Sequence, residues 1–269
     1  MTSRIAVAAT APFGADVLER LAVRHEITCV LTRPDARAGR GRRLASPPAK
    51  TVAARLGIPV LQPKRLVPGL DLGAATVVTV AYGLIVPEAV LEERLWLNVH
   101  PSLLPRWRGA APVERAIMAG DTEAGVTIIR LVKELDAGPV GAQRAFPIDV
   151  DDDAGDVFAT AAAVAVELLD ELLADHAPAF RDQSGEISYA EKITAADRTL
   201  DLAGPASELV DVVRALSPHI GARAELRGRG VTVWRARIDD DGAFVPVEIQ
   251  PDGGRRMSYE AWQRGLRSS

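Results

Sequence analysis

Residues 75–82 read ATVVTVAY, a continuous apolar run that is rich in β-branched side chains. Such a run is typical of a central strand that is covered on both faces of a parallel sheet. Shorter apolar runs at 5–9 and 27–31 precede it, and residues 15–24 between them carry apolar side chains at helical spacing. This alternation of strands and helices predicts an α/β fold with a doubly wound, mostly parallel sheet.

Further elements follow the same alternation. They are the strands 59–61, 95–100 and 125–131 and the helices 51–56 and 154–174. Three prolines and two glycines interrupt residues 32–50, which we expect to be a long loop.

The sequence changes in character after the helix at 154–174. Prolines, glycine and polar residues dominate the next stretch, so we place the main domain at 1–180 and a linker at 181–205. In the remainder, 206–269, a helix followed by alternating residues around a Gly-containing turn predicts a small β-rich domain with a β-hairpin.

Composition and charge narrow the class of protein. The chain has 32 Lys and Arg against 36 Asp and Glu, a net charge of −4, which argues against a protein wrapped in nucleic acid. Its one cysteine, Cys29, cannot form an internal disulfide or a thiolate zinc site, which favours a reducing compartment. No run of about 18 apolar residues is present. We expect a cytoplasmic monomer with no membrane segment and no metal.

The turn after the first strand lacks the common nucleotide-binding motifs. It reads AATAPFGA (8–15) and holds one glycine, whereas a dinucleotide site needs G-x-G-x-x-G. The sequence also contains no G-x-x-x-x-G-K-[ST]. NAD binding and P-loop ATP hydrolysis are therefore disfavoured.

Asn98 and His100 lie two residues apart on the predicted strand 95–100, and Pro101 follows directly. Their side chains therefore project from the same face, close to the carboxyl edge of the sheet, where ligands bind in open α/β folds. An amide can stabilise a developing oxyanion, and an imidazole can carry charge near neutral pH. Taken singly, Asn98 could instead cap a strand end, and His100 could be an ordinary buried histidine.

Asp136 follows the predicted strand 125–131 on a loop, directly before Ala137 and Gly138. From there we expect it to return to the same edge of the sheet. A carboxylate beside an imidazole raises the histidine pKa and orients the ring. Asp136 taken alone could also be a simple turn residue.

These residues stand in strings that resemble the folate-dependent formyltransferases, and among them the enzymes that act on methionyl-tRNA. The strings cover most of the chain and are RPDARAGRGRRLASPPAK (33–50), AYGLIVP (81–87), NVHPSLLPRWRGAAP (98–112), GVTI (125–128), LDAG (135–138), SYAEKI (188–193) and RALSP (214–218). The resemblance implies the Rossmann-like formyltransferase fold, with residues 1–180 as its catalytic domain. It also places the family's catalytic set on Asn98, His100 and Asp136.

The resemblance implies transfer of a formyl group from 10-formyltetrahydrofolate, as co-substrate, to the α-amine of methionine on initiator tRNA, for translation initiation. Asn98 would donate to the oxyanion of a tetrahedral intermediate. His100 would stabilise that oxyanion or relay a proton, and Asp136 would orient His100 and accept a proton from the amine. The sequence leaves both proton routes open, and no metal is required.

The resemblance also implies a folate site at two strand exits. The family's tetrahydrofolate-contacting S-L-L-P falls on residues 102–105 of this chain. Backbone groups where the strand ends in AYGLIVP (81–87) would bind the pterin. The expected folate-binding residues are Tyr82, Gly83, Leu84, Ile85, Ser102, Leu103, Leu104 and Pro105.

Binding of tRNA is expected at the loop 32–50, which holds six basic residues and one acid, Asp35. This loop resembles the family's tRNA-contacting insertion. The expected tRNA contacts are Arg40, Arg42, Arg43, Arg106 and Arg108.

The C-terminal domain departs from the family's pattern. After Asp241 the chain leaves no room for the extra strand pair expected in the family's β-barrel, so we expect 206–269 to be abbreviated. From residue 201 onward ten arginines balance ten acids, with no lysine. This domain therefore has no net positive charge for general tRNA affinity.

Two other functions stay open. A sugar-amine N-formyltransferase would share the fold, the co-substrate and the three catalytic residues, but its small nucleotide-linked acceptor would not need the Arg-rich loop or the SYAEKI linker. A noncatalytic folate- or RNA-binding protein would contain the three residues without using them in catalysis. Nothing in the sequence favours this alternative.

Overall fold

The computed structural model describes residues 2–38, 43–175 and 177–267. In this part of the chain the helices are α1 (Pro12–Leu21), α2 (Pro48–Arg55), α3 (Glu88–Leu91), α4 (Pro112–Met118), α5 (Ala154–Ala174), α6 (Ala206–Leu216) and α7 (Tyr259–Arg267). The strands are β1 (Arg4–Ala9), β2 (Glu26–Leu31), β3 (Ala36–Ala38), β4 (Arg43–Ala45), β5 (Val60–Leu61), β6 (Thr76–Val80), β7 (Leu95–His100), β8 (Arg108–Gly109), β9 (Glu123–Arg130), β10 (Val140–Pro147), β11 (Tyr189–Ala190), β12 (Ala222–Leu226), β13 (Arg229–Ile238), β14 (Phe244–Pro251) and β15 (Met257–Ser258).

The predicted doubly wound sheet is confirmed. It has seven strands in the order β10-β9-β7-β6-β1-β2-β5, and β1, β2, β5, β6 and β7 pair in parallel. β9 is the exception, because it runs antiparallel to β7. Residues 5–9 at the centre of the sheet are fully buried, which explains their uniformly apolar sequence.

Gly14, the single glycine of the first turn, has a packing role. A Cβ added there would lie 2.4 Å from the carbonyl oxygen of Val80 on β6. Only glycine therefore lets α1 approach the sheet this closely. The helix also begins at Pro12 and ends at Leu21, not at 15–24 as predicted, since proline is well suited to the first helical position.

The prediction of one long loop at 32–50 is wrong in two places. β3 and β4 pair antiparallel as a short hairpin, and α2 already begins at Pro48. Proline interrupts a helix interior but is compatible with its first turn, so Pro48 marks a helix start here.

The chain divides into two compact units, built from interleaved segments. One comprises Met1–Arg108, Gly125–Ala145 and Ala159–Ser188, and the other comprises Gly109–Ala124, Phe146–Phe158 and Tyr189–Ser269. The division into 1–180, a linker at 181–205 and 206–269 stays a prediction.

The second unit contains an antiparallel sheet in the order β12-β13-β14-β15. β12 and β13 form the predicted hairpin. After Asp241, β14 pairs with β13 along most of its length and β15 pairs with β14. The expectation that the domain lacks the extra strand pair of the family's β-barrel stays a prediction. Alternate residues of these strands pack with Leu209 and Trp262 in one apolar core.

Over the described residues, no helix is both long enough and apolar enough to cross a lipid bilayer.

Candidate active site

Asn98 and His100 project from the last residues of β7, as the spacing predicts. His100 is buried with 4% of its surface exposed, whereas Asn98 is partly accessible. β7 lies between β6 and β9: Asn98 pairs with Thr79 on β6 and Ile129 on β9, and His100 pairs with Thr127 on β9. Their orientation is therefore set by neighbouring strands more than by solvent.

The amide of Asn98 is oriented by Thr79, its register partner on β6. The Thr79 hydroxyl lies 2.9 Å from Asn98 Oδ1 and 2.9 Å from the carbonyl oxygen of Leu97. The Asp136 carboxylate on the other side can only accept, so Nδ2 of Asn98 faces away from β6 and Oδ1 can take the single hydroxyl proton of Thr79. Sequence reasoning missed Thr79 because it stands inside a uniformly strand-like run.

Asp136 reaches both residues of β7. Its Oδ1 accepts a hydrogen bond from Asn98 Nδ2 at 3.4 Å, and its Oδ2 lies 3.7 Å from His100 Nδ1. Asp136 is 8% exposed, so this carboxylate is largely screened from water. The structure therefore brings together the three residues predicted to be catalytic.

The route by which Asp136 arrives differs from the prediction. Because β9 is antiparallel to β7, it ends at Arg130 opposite Leu97, not at the carboxyl edge of the parallel strands. The loop 131–139 then carries Asp136 back towards Asn98 and His100. The correct juxtaposition was thus predicted from an incorrect strand direction.

That loop packs closely on the backbone of β9. A Cβ added to Gly138 would lie 1.8 Å from the Arg130 carbonyl oxygen, so no larger residue fits there. Asp136 itself has a φ of 49°, in the left-handed region.

The imidazole of His100 is held on its other side by Trp107. Nε2 lies 2.8 Å from the Trp107 carbonyl oxygen, which can only accept a hydrogen bond, so the geometry assigns a proton to Nε2. Nδ1 therefore faces the carboxylate of Asp136.

The turn Ser102–Pro105, expected to bind folate, is fixed from beneath by Thr127 and Gln143. The fully buried Thr127 hydroxyl donates to the Ser102 carbonyl at 2.7 Å and accepts from the Leu104 amide at 3.1 Å. Gln143 Nε2 donates to the Leu104 carbonyl at 2.9 Å. These polar contacts give the turn a defined shape, and sequence reasoning found neither residue.

The second expected folate segment, 82–85, presents its residues in different ways. The Tyr82 side chain lies in the apolar core, and burial raises its pKa to about 12. Gly83 has a φ of 75°, Leu84 is half-buried, and Ile85 is 90% exposed. Tyr82 can thus offer only its backbone at the surface.

The expected tRNA contacts fall in different parts of the chain. Arg40 and Arg42 lie outside the described residues, and Arg43 is the first residue of β4. Of the basic residues in this loop, Lys50 pairs with Asp35 at 2.8 Å. Hydrogen bonds from Lys50 and then Gln62 hold the pKa of the Asp35 carboxyl below its usual range.

Arg106 and Arg108 flank Trp107 beside the site. The exposed Arg106 guanidinium lies 4.5 Å from the centre of the Trp107 ring. Arg108 is half-buried and donates to Gln183 Oε1 from Nε at 3.1 Å and from Nη2 at 2.6 Å.

Among the described residues, no group of three or more His, Cys, Asp or Glu side chains is arranged to hold a metal ion.

Comparison with known proteins identifies the family. A family model described as "Formyl transferase" matches residues 3–173. The chain belongs to the formyl transferase family. The model of the family's C-terminal domain matches residues 192–246, and the site described above lies within the first match.

Relatives and structures of the formyl transferase family agree with this assignment. A curated protein of Thiobacillus denitrificans named methionyl-tRNA formyltransferase is 40% identical, covering 97% of this chain and 96% of its own. The structure of a methionyl-tRNA formyltransferase from Clostridium thermocellum matches with a TM-score of 0.67 at 16% identity, covering 93% of this chain and 98% of that one. A 4-N formyltransferase from Francisella tularensis matches with a TM-score of 0.65 at 17% identity, covering 91% and 96%. At these low identities the two structures establish the fold alone.

Proposed function

We propose that this chain transfers a formyl group from 10-formyltetrahydrofolate to the α-amine of methionyl-initiator tRNA. The observation that carries the proposal is the cluster of Asn98, His100 and Asp136, in a chain that is 40% identical to a protein named methionyl-tRNA formyltransferase. Support for a sugar-amine acceptor is weaker, because it rests on a fold-level likeness to a sugar 3N-formyl transferase at 16% identity.

The reaction makes two demands on the site. A bond forms between the amine nitrogen and the formyl carbon, the bond from that carbon to folate N10 breaks, and a proton passes from the amine to N10. When bound, 10-formyltetrahydrofolate supplies the formyl group as an electrophilic carbon. The chain must therefore stabilise negative charge on the formyl oxygen and accept a proton.

Asn98 meets the first demand. Its Nδ2 donor faces away from β6, and the side chain is partly accessible. A donor fixed in this way stabilises developing negative charge without having to reorient during the reaction.

His100 and Asp136 meet the second demand as a pair. The Asp136 carboxylate accepts the amine proton, and its position 3.7 Å from His100 Nδ1 lets the two side chains share that proton. Trp107 holds the imidazole from the opposite side, so the ring keeps its orientation throughout.

The residues present fit a folate. A pterin is flat and carries hydrogen-bonding edges, and segments 82–85 and 102–105 both follow parallel strands that are neighbours in the sheet. Segment 82–85 offers backbone polar groups, and the two segments carry the partly exposed apolar side chains of Leu84 and Leu103. In this proposal these segments hold the co-substrate.

The tRNA acceptor in this proposal rests on the basic segment 32–50 and on Arg106 and Arg108. Positive side chains there would attract the phosphates of the tRNA acceptor stem. We further infer a monomer that works in the cytoplasm, where translation begins.

A direct assay tests the acceptor. The purified chain is incubated with 10-formyltetrahydrofolate and either charged initiator tRNA or nucleotide-linked aminosugars, and formyl transfer is followed. Transfer to the tRNA alone is expected. Transfer to an aminosugar and none to the tRNA would show that the acceptor is a sugar amine. No transfer to either substrate would favour a noncatalytic folate- or RNA-binding protein.

A further inference from the structure

Gln183 connects Arg108 to the loop that carries Asp136. Its Nε2 donates to the carbonyl oxygens of Asp136 at 2.7 Å and Gly138 at 2.9 Å. Its Oε1 accepts both hydrogen bonds from Arg108 described above. One half-buried amide thus bridges a cation and two backbone groups of the loop.

The chemistry of these partners fixes the orientation of the Gln183 amide. The Arg108 guanidinium has only donors, so the amide oxygen must face it. The two loop carbonyls have only acceptors, so the amide NH2 must face them. Arg108 therefore acts on the loop by selecting the orientation of Gln183.

The loop needs such an external restraint. Asp136 has a φ of 49°, a left-handed conformation that most L-residues avoid and that aspartate adopts occasionally. Its neighbours Lys133, Glu134 and Leu135 are exposed, Leu135 by 66%. Because the side chains of residues 133–135 are exposed and do not anchor this part of the loop, the bonds from Gln183 on either side of Ala137 add an anchor for its backbone.

We propose that Gln183, oriented by Arg108, is a positioning residue for formyl transfer. It holds the Asp136 backbone so that the carboxylate lies against Asn98 Nδ2 and His100 Nδ1. The kinetic part of this inference rests on the proposed function, whereas the structural part does not.

Gln183→Glu separates the two sides of the bridge. A carboxylate still accepts from Arg108 and keeps nearly the same shape, but it cannot donate to the loop and sets a negative oxygen against two carbonyls. Glu186→Gln, at an exposed position three residues along the same segment, is the matched control.

Hydrogen exchange of the free protein tests the structural part. In Gln183→Glu we expect backbone amides of 131–139 to exchange about tenfold faster, while those of β7 keep their rates. The control should leave both unchanged. Unaltered exchange in the loop would overturn the inference, whether or not the protein transfers formyl groups.

A double-mutant cycle tests the kinetic part by steady-state kinetics of transfer to methionyl-tRNA. Gln183→Glu should lower kcat about 10- to 100-fold with little change in either KM, since displaced groups react slowly even when substrates bind. In an Asp136→Ala background, Gln183→Glu should lower kcat by less than about twofold, because Gln183 acts through Asp136. An equal loss of kcat in both backgrounds would show that Gln183 does not act through Asp136. An inactive wild type would overturn the proposed function, and hydrogen exchange alone would then test whether Gln183 positions the loop.

Discussion

The hydroxyl of Thr79 lies 2.9 Å from the amide oxygen of Asn98, its register partner on the neighbouring parallel strand. Both ends of the Asn98 amide are thereby engaged, the oxygen by Thr79 and the nitrogen by Asp136. An asparagine amide can otherwise flip by half a turn, which would present an acceptor where the reaction needs a donor. Strand β6 is thus also part of the proposed catalytic arrangement.

Thr79→Val should therefore slow formyl transfer with little loss of folding. We expect kcat to fall about tenfold, less than the loss of the donor itself, and both KM values to stay within about twofold. Unfolding free energy should fall by about 1 kcal/mol, because a buried hydrogen bond is lost. Thr79→Ser keeps the hydroxyl and should restore the rate; a kcat equal to wild type in the valine variant would show that Asn98 needs no such restraint.

Gly138→Ala should disturb the loop that carries Asp136. The new Cβ would meet a backbone oxygen at 1.8 Å, and backbone cannot move aside cheaply. We expect the unfolding free energy in urea to fall by about 1–3 kcal/mol, together with a loss of transfer rate. Gly265→Ala in α7, where an added Cβ meets nothing within 4 Å, should be neutral or slightly stabilising. Equal stability of the two variants would mean that the loop is not packed against β9 as described.

Arg106→Ala should weaken the use of tRNA without affecting folate. Removing one phosphate contact should raise the KM for methionyl-tRNA and reduce the slope of log affinity against log salt by about 1. Arg106→Lys should retain most of the salt dependence because it retains the charge. A matching rise in the KM for 10-formyltetrahydrofolate would place Arg106 at the folate site instead.

The ion pair between Arg115 and Asp197 should make stability depend on acid pH. Two hydrogen bonds from Arg115, at 2.7 and 3.0 Å, and further bonds from Thr194 hold the pKa of the Asp197 carboxyl well below its usual range. Because the pKa of Asp197 is lower in the folded state, its carboxylate stabilises the protein at pH values above the unfolded-state pKa of about 3.9. This stabilisation is lost as the pH falls through the folded-state pKa.

Urea unfolding of wild type and Asp197→Asn at several pH values checks this. The wild type should have the higher midpoint at neutral pH, and its advantage should shrink below about pH 4. An advantage that stays constant down to about pH 2 would show that the carboxylate is not the stabilising species.

Much of the fold could be predicted from the sequence because its signals are local. The run at 75–82 is apolar because both faces of β6 are covered, and the predicted strand 95–100 and helix 154–174 match β7 and α5. The direction of β9 could not be predicted, since periodicity specifies a strand but not its partner or polarity.

The site was predictable only in part, for a related reason. Asn98 and His100 share a face through the two-residue period of one strand, which a sequence displays directly. Thr79 and Gln183 act through register and through a loop contact across 47 residues, and no local pattern reports either.

The central claim is that Asn98 supplies the donor for transfer of the formyl group. Single-turnover transfer from 10-formyltetrahydrofolate to methionyl-tRNA, at saturating substrate, compares wild type with Asn98→Ala. The rate of Asn98→Ala should be lower by about 10²–10³-fold, and the variant should remain folded by circular dichroism. A folded Asn98→Ala protein that transfers the formyl group at the wild-type rate would contradict the claim.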